Sequence, residues 1–259
     1  MLLKNRIAIV SGIGPGMGHD ISMAFAREGA DLILLGRTPA KVEALAEEIR
    51  ATGRRALPVP TDIADANECK RAVEAAYEEF GRIDVLVNNA FKGGLEPTTE
   101  KASMEEWRKI FDVNVFGSMQ LTQQVIPCMR SQGGGSIVFI NSMSARIIEA
   151  GFGGYAASKG ALLIAAQTLA KELGRDKIRV NSVVPGYIWG ASLEGYFKHL
   201  AKQQDTTPEK IYDGVASRTA LHHIPTSAEI AEAVLFFASD MSRVITGQAL
   251  DVNGGHFFH

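Results

Sequence analysis

The sequence predicts an α/β protein: a doubly wound parallel sheet of about seven strands with helices on both faces, in a single domain. Three observations predict it. Strand-like and helix-like runs alternate along almost the whole chain. The strand-like runs are continuously apolar, as strands covered on both faces are. The first of them opens into a loop, SGIGPGMG, with glycine at 12, 14, 16 and 18. Repeated βαβ units then imply parallel neighbours joined by right-handed crossovers.

Taken in order, RIAIV (6–10) is the first strand, followed by a helix from about Gly16 to Glu28. DLILLG (31–36) is the second, and after it Val42, Leu45, Ala46 and Ile49 recur at helical spacing. ALPVP (56–60) leads to a helix over 66–80, and IDVLVNN (83–89) to a helical region over 103–130. SIVFIN (136–141) precedes a helix from Tyr155 to Leu173, IRVNSVVP (178–185) is the sixth strand, and QALDV (248–252) the last. Only 188–226 breaks the rhythm. Two short helices are expected there, one with an apolar stripe of Leu193, Tyr196, Phe197 and Leu200. The other starts with Thr207 as N-cap and Pro208 at its first position, with Ile211 and Val215 inward. The segment leaves the carboxyl end of the sixth strand, so it is expected as a substrate lid whose stripe walls a pocket.

Composition narrows the classes. The chain has 259 residues, 46% hydrophobic and 22% charged, ample for a large core. A formal net charge of −2, with no run of Lys and Arg longer than two, argues against nucleic-acid and anionic-membrane partners. No apolar stretch approaches the ~18 residues that span a bilayer. MLLKNR lacks the features of a signal peptide, so a cytoplasmic location is expected. Cys69 and Cys128 show no metal or redox spacing and are expected as buried free thiols. His222 and His223 are adjacent and point apart, while His19, His199, His256 and His259 form no ligand spacing. No metal is expected.

In such sheets ligands bind outside the carboxyl ends of the strands, where strand order reverses. The glycine loop is expected there. Its spacing is G-x-x-x-G-x-G on Gly12, Gly16 and Gly18, with Met17 inside it. The alternative G-x-G-x-x-G fails, because Met17 or His19 would take the third place. Glycines let backbone approach a pyrophosphate, and the helix start offers free N–H groups to it. That signals a nucleotide without saying which.

The segment YAASK places Tyr155 and Lys159 four apart on one helical face. A nearby ammonium favours the phenolate and is expected to lower the tyrosine's pKa, so the pair suits proton exchange with a hydroxyl or carbonyl. Ser142 ends the fifth strand thirteen residues earlier and is expected at the same edge, where its hydroxyl suits holding a carbonyl oxygen. Asn114 falls inside a helix despite poor propensity. It marks either a side chain bonded back to its helix or a held kink or water site.

In this order the motifs resemble the short-chain dehydrogenases/reductases over essentially all 259 residues. The carriers are SGIGPGMG, TDIAD with Asp62 and Ile63, NNA at 88–90, then Asn114, Ser142, Tyr155 and Lys159. PG at 185–186 and ITGQALDVNGG at 245–255 complete the set. The resemblance implies a Rossmann-like fold and an NAD(P)-dependent oxidoreductase passing hydride between nicotinamide and a secondary alcohol or ketone. It implies Tyr155 as acid/base, Lys159 lowering its pKa and binding the nicotinamide ribose, and Ser142 positioning the substrate oxygen. Asn114 would hold a water relaying protons to Lys159. Asp62 and Ile63 would flank the adenine, with Asn89, Ala90, Pro185, Gly186 and the backbone of Ile188 along the cofactor. Two positions depart from the family pattern: Phe91 replaces the usual glycine after NNA, adding bulk near cofactor and substrate, and Gly190 stands where a threonine is common, with only Ser192 near.

At the end of the second strand Gly36 takes the position of the acid that binds ribose hydroxyls in NAD-selective sheets, and Arg37 follows. NADP is therefore expected over NAD, the guanidinium facing the 2′-phosphate. The alternative is an arginine stacked on adenine without selectivity. The helices at 103–130 and 155–173 are apolar on more than one face, as at Leu162, Leu163, Ile164 and Leu169. A homotetramer through these helices is expected, a pairing common among the relatives. With Phe91, Trp189 and the lid nearby, the expected substrate is bulky and largely apolar. Two rivals are an enoyl reductase, whose branch spaces tyrosine and lysine more widely, and a non-catalytic cofactor-binding subunit, which should show damage in the four catalytic positions.

Overall fold

The computed structural model describes residues 1–94 and 96–258. Along β1 (Ile7–Ser11), Ala8 and Val10 enter one hydrophobic core while Ile7 and Ile9 enter another. β2 (Asp31–Gly36) does the same, with Leu32 and Leu34 on one side and Ile33 and Leu35 on the other. Successive side chains on a strand point to opposite faces, so a sheet buried on both sides demands apolar residues at every position. That is why these strands read as unbroken runs.

The remaining strands are β3 (Ala56–Pro60), β4 (Val85–Asn88), β5 (Gly135–Ile140), β6 (Ile178–Pro185) and β7 (Ala249–Val252). All neighbours pair in parallel in the order β3-β2-β1-β4-β5-β6-β7. In register, Ile9 lies between Ile33 and Leu86. α1 (Met17–Arg27), α2 (Pro39–Ala51) and α9 (Ser227–Ala238) cover one face through Phe25, Val42, Ile49, Ile230 and Val234. α3 (Ala66–Phe80), α5 (Ser118–Ser131) and α6 (Gly153–Leu173) cover the other through Val73, Leu121, Val125, Leu162 and Leu169. Strand order reverses between β1 and β4, so the loops after these two strands border the crevice.

The helical region expected over 103–130 is α4 (Met104–Phe111) running into α5 through a π-helical stretch, Asp112–Gly117. Asn114 sits inside that wide turn and is fully buried. The outer faces of these helices keep apolar residues: Phe116 is 54% exposed and Ile164 on α6 is 64% exposed.

The segment 188–226 forms α7 (Ala191–Gln203) and α8 (Pro208–Ala216), with the Thr207 hydroxyl accepting the Lys210 N–H. Its apolar stripe packs inward, and Phe197 also borders a separate cleft of about 360 Å³ with Trp189, Pro208 and Tyr212. Phe197 is 1% exposed and packs with Val215, Ala216 and Ile224, joined by Leu193, Leu200, Trp189 and Tyr212. Two short amphipathic helices have to bury their stripes somewhere, and they bury them in each other. Tyr196 stays 47% exposed.

Cys69 is buried, and burial pushes its thiol up to about 11; Cys128, expected to be buried, is only half-buried. Among the described residues no group of three or more His, Cys, Asp or Glu could hold a metal ion, and no helix is long and apolar enough to cross a membrane. His259 lies outside the described residues.

Candidate active site

The glycine loop is shaped by contact. Gly12 has φ +75, and a Cβ there would stand 2.4 Å from the Ala90 Cα. At Gly18 a Cβ would be 2.2 Å from the Gly12 carbonyl oxygen. Both positions therefore require glycine, because backbone fills the space a side chain needs. The turn is tied to the next crevice loop: Asn89 Nδ2 donates to the Gly12 carbonyl at 2.6 Å, and the Ser11 hydroxyl accepts the Asn89 N–H at 3.2 Å. α1 then starts at Gly16 with no side-chain cap, leaving its first N–H groups available to an anion.

Two clefts open off this loop and share Gly12, Gly14, Asn89 and Phe91. The larger, about 520 Å³, is bordered by Gly36, Arg37, Asp62, Ile63 and Ala90. The Arg37 side chain is exposed, with no ion-pair partner among the described residues. The smaller, about 180 Å³, gathers Met17, Gly18, Ser142, Tyr155, Lys159 and Ile188, with Pro185 and Gly186 beside them. The fold thus unites residues spread from 12 to 188. Gly16 and Asn114 line neither cleft, nor do Gly190 and Ser192.

Ser142 leaves the end of β5, while Tyr155 and Lys159 leave one face of α6 near its start. Lys159 is buried and its Nζ donates to the Ile140 carbonyl at 2.8 Å. That ammonium stands 5.7 Å from the centre of the Tyr155 ring. Burial pushes Lys159 down to about 7 and pushes the Tyr155 phenol up, the latter opposed by its hydrogen bond with Ser142. This differs from the lowered phenol expected from the Tyr-x-x-x-Lys spacing. The reason is burial, which disfavours the charged phenolate more than the Ser142 hydrogen bond favours it.

Asn114 acts as a tie. Its Oδ1 accepts the Lys92 N–H at 2.7 Å, while its Nδ2 donates to the Lys92 carbonyl and to the Ser158 hydroxyl, each at 2.9 Å. Both amide hydrogens are engaged, so a water meets this side chain only as a donor to Oδ1. Ser158 in turn donates to the Tyr155 carbonyl at 2.7 Å. Lys92, Gly93 and Ser158 escaped the sequence reading. The one signal was the doubled glycine in FKGG, which marks a tight segment without saying what it approaches.

A dinucleotide fits these residues. The Gly12–Gly18 contacts leave a backbone-lined cradle, and Asn141 on the smaller cleft has a buried Nδ2 without a partner among the described residues.

Comparison with known proteins agrees. The family model described as enoyl-(acyl carrier protein) reductase matches residues 12–256. The 3-oxoacyl-(acyl-carrier-protein) reductase FabG of Thermotoga maritima is 33% identical over 257 residues, covering 98% of this chain and 99% of that one. The chain belongs to the short-chain dehydrogenase/reductase family. Among solved members, L-sorbose reductase from Gluconobacter frateurii, complexed with NADPH and L-sorbose, superimposes with a TM-score of 0.93 at 30% identity, covering 99% and 98% of the two chains. Carveol dehydrogenase from Mycobacterium avium, in complex with NAD, gives 0.92 at 28% identity, covering 98% of each. This short-chain dehydrogenase/reductase is an NAD(P)-dependent oxidoreductase acting on CH–OH groups.

Proposed function

We propose that the enzyme interconverts a secondary alcohol and a ketone with a bulky, largely apolar body, and favours NADP over NAD. The observation that carries the reaction is the convergence of Ser142, Tyr155 and Lys159 on one cleft that also holds the glycine loop. The nicotinamide, when bound, supplies or takes up the hydride. Ser142 holds the substrate oxygen by its hydroxyl. Tyr155, whose phenol burial pushes up, donates its phenolic proton to that oxygen in reduction and receives it back in oxidation. Lys159 stabilises the phenolate so formed and binds the nicotinamide ribose. Gly12, Gly16, Met17 and Gly18 hold the pyrophosphate with the start of α1. Asp62, Ile63, Asn89, Ala90, Pro185, Gly186 and Ile188 line the rest of the cofactor's path. Asn114 steadies the loop and helix on either side of Tyr155.

Gly36 and the exposed Arg37 support the 2′-phosphate, since β2 ends without a carboxylate and a guanidinium is free to pair with it. Phe91 and Ile188 supply apolar wall. The description of the matching family model favours a second reading, enoyl reduction. Against it stands the four-residue spacing of Tyr155 and Lys159. A panel of ketones, secondary alcohols and crotonyl-CoA, read by reduced-nicotinamide absorbance, decides between them. Turnover is expected with ketones and alcohols; turnover confined to the enoyl thioester would overturn the reading. The apolar outer faces at Phe116 and Ile164 support assembly as a homotetramer. Light scattering at micromolar concentration is expected to give the tetramer mass, and a monomer mass refutes it.

A further inference from the structure

The loop after β4 grips the ring that moves the proton. Asn114 pins Lys92 through both its N–H and its carbonyl, and the residues on either side of Lys92 both meet Tyr155. A Cβ at Gly93 would lie 2.9 Å from the Tyr155 Cδ2 and 3.1 Å from its Cε2. Phe91 meets the same ring edge-on, with centroids 6.3 Å apart and planes at 62°. That Cβ would also come within 3.6 Å of the Phe91 Cδ2, so the three residues form one contact. Yet Phe91 is 64% exposed, and it lines both clefts at the position where the family usually has glycine. An aromatic side chain whose edge meets the catalytic ring while most of it stays open leaves apolar surface beside the reacting oxygen.

We propose that Phe91 and Gly93 form a clamp that sets the plane of the Tyr155 ring, and that the open surface of Phe91 is the platform for a flat, ring-bearing ketone. This rests on the ketone–alcohol reading and narrows its substrate class. Gly93 allows the loop's close approach to the ring, and Phe91, in contact with the same spot, meets the ring at a steep angle and limits its rotation. A planar ring stacks or meets edge-on with Phe91 and loses few rotamers in doing so, whereas a flexible chain pays more to be ordered. Phe91 and Gly93 are positioning residues in this scheme; Tyr155 performs the proton transfer.

The test uses the full-length enzyme with NADPH and two probes, acetophenone and 2-heptanone. Phe91→Ala is expected to lower kcat/KM for acetophenone about tenfold, mainly through KM, and that for 2-heptanone by less than about threefold. Phe91→Tyr keeps the ring and restores the preference. Gly93→Ala is expected to lower kcat on the order of 10²-fold for both ketones, because it displaces the ring. A second readout needs no substrate. The Tyr155 phenol is titrated by ultraviolet absorbance, as the difference between each protein and its own Tyr155→Phe counterpart. Removing the Phe91 ring relieves burial, so the phenol is expected to titrate lower in Phe91→Ala.

An unchanged ratio of the two ketones, or no reduction of either by the wild type, overturns the platform. An unchanged Tyr155 titration in Phe91→Ala, or an unchanged kcat in Gly93→Ala, overturns the clamp. The ketone–alcohol reading fails on a different result: wild-type turnover confined to the enoyl thioester.

Discussion

Two helical regions border the same edge of the sheet and are secured in opposite ways. The start of α6 is built into the main body. Ala156, Ser158 and Lys159 are buried there, Lys159 is bonded to β5, and Ser158 is bonded to Asn114 in the π-helical turn. The α7–α8 segment instead carries its own small core around Phe197, and no residue of either helix borders the cleft of Tyr155. The difference separates precision from access. Elements built into the main body are expected to open only with the whole domain, and a segment with its own small core to open at lower cost.

The largest effect that sharpens this contrast is chemical. Tyr155→Phe is expected to lower turnover on the order of 10³-fold while leaving cofactor affinity nearly unchanged, because only the proton-carrying oxygen is lost. Steady-state rates and nicotinamide fluorescence read the two quantities, and retention of more than a few per cent of activity assigns the acid/base role elsewhere.

Next comes packing. Phe197→Ala truncates a buried ring, a change worth about 3–5 kcal/mol in a core. The loss is expected to fall on α7–α8 alone: hydrogen exchange there becomes fast while the sheet stays protected, and substrate KM rises. Phe139→Ala in β5, where Phe139 is 0% exposed, is expected to lower protection everywhere. Equal global loss from both variants erases the distinction between the regions.

A smaller effect lies at the cofactor end. Arg37→Ala is expected to reduce the NADP-over-NAD ratio of kcat/KM by about 10- to 100-fold with kcat maintained, the range of a charge-assisted hydrogen bond. A wild type equally efficient with NAD removes the premise.

The smallest is a pH slope. Lys159 titrates at about 7 in the folded protein, and near ~10.4 in an unfolded chain. Between these values the unfolded state binds more protons, so stability rises with pH, by at most about 1.4 kcal/mol per unit. Below pH 7 both states are protonated and the contribution is flat. Lys159→Met is expected to lack that rise when ligand-free proteins are unfolded in denaturant between pH 7 and 9. Parallel curves for the two proteins would mean that Lys159 is charged in the cleft.

The segment 188–226 illustrates where sequence pattern stops. α7 and α8 lie where spacing placed them, and the Thr207 cap is made as expected. The pattern showed an apolar stripe without showing which surface it covers. Asn114 is similar: its poor helix propensity marked an irregular turn, but its bonds to Lys92 and Ser158 come from residues 22 and 44 positions away. The direction of the phenol's shift follows the same rule. Spacing on a helix says which residues are neighbours, and burial is a property of everything packed around them.

Strand identity, sheet type and the glycine loop were determined by the sequence alone, because strand periodicity, helical spacing and the glycines' steric freedom act within a few residues. The meeting of Gly12 with Ala90, of Lys159 with Ile140, and of Phe91 and Gly93 with Tyr155 was decided only by the tertiary structure. Those contacts join segments separated by tens of residues, and close packing on a twisted parallel sheet is what brings them within an ångström-scale reach.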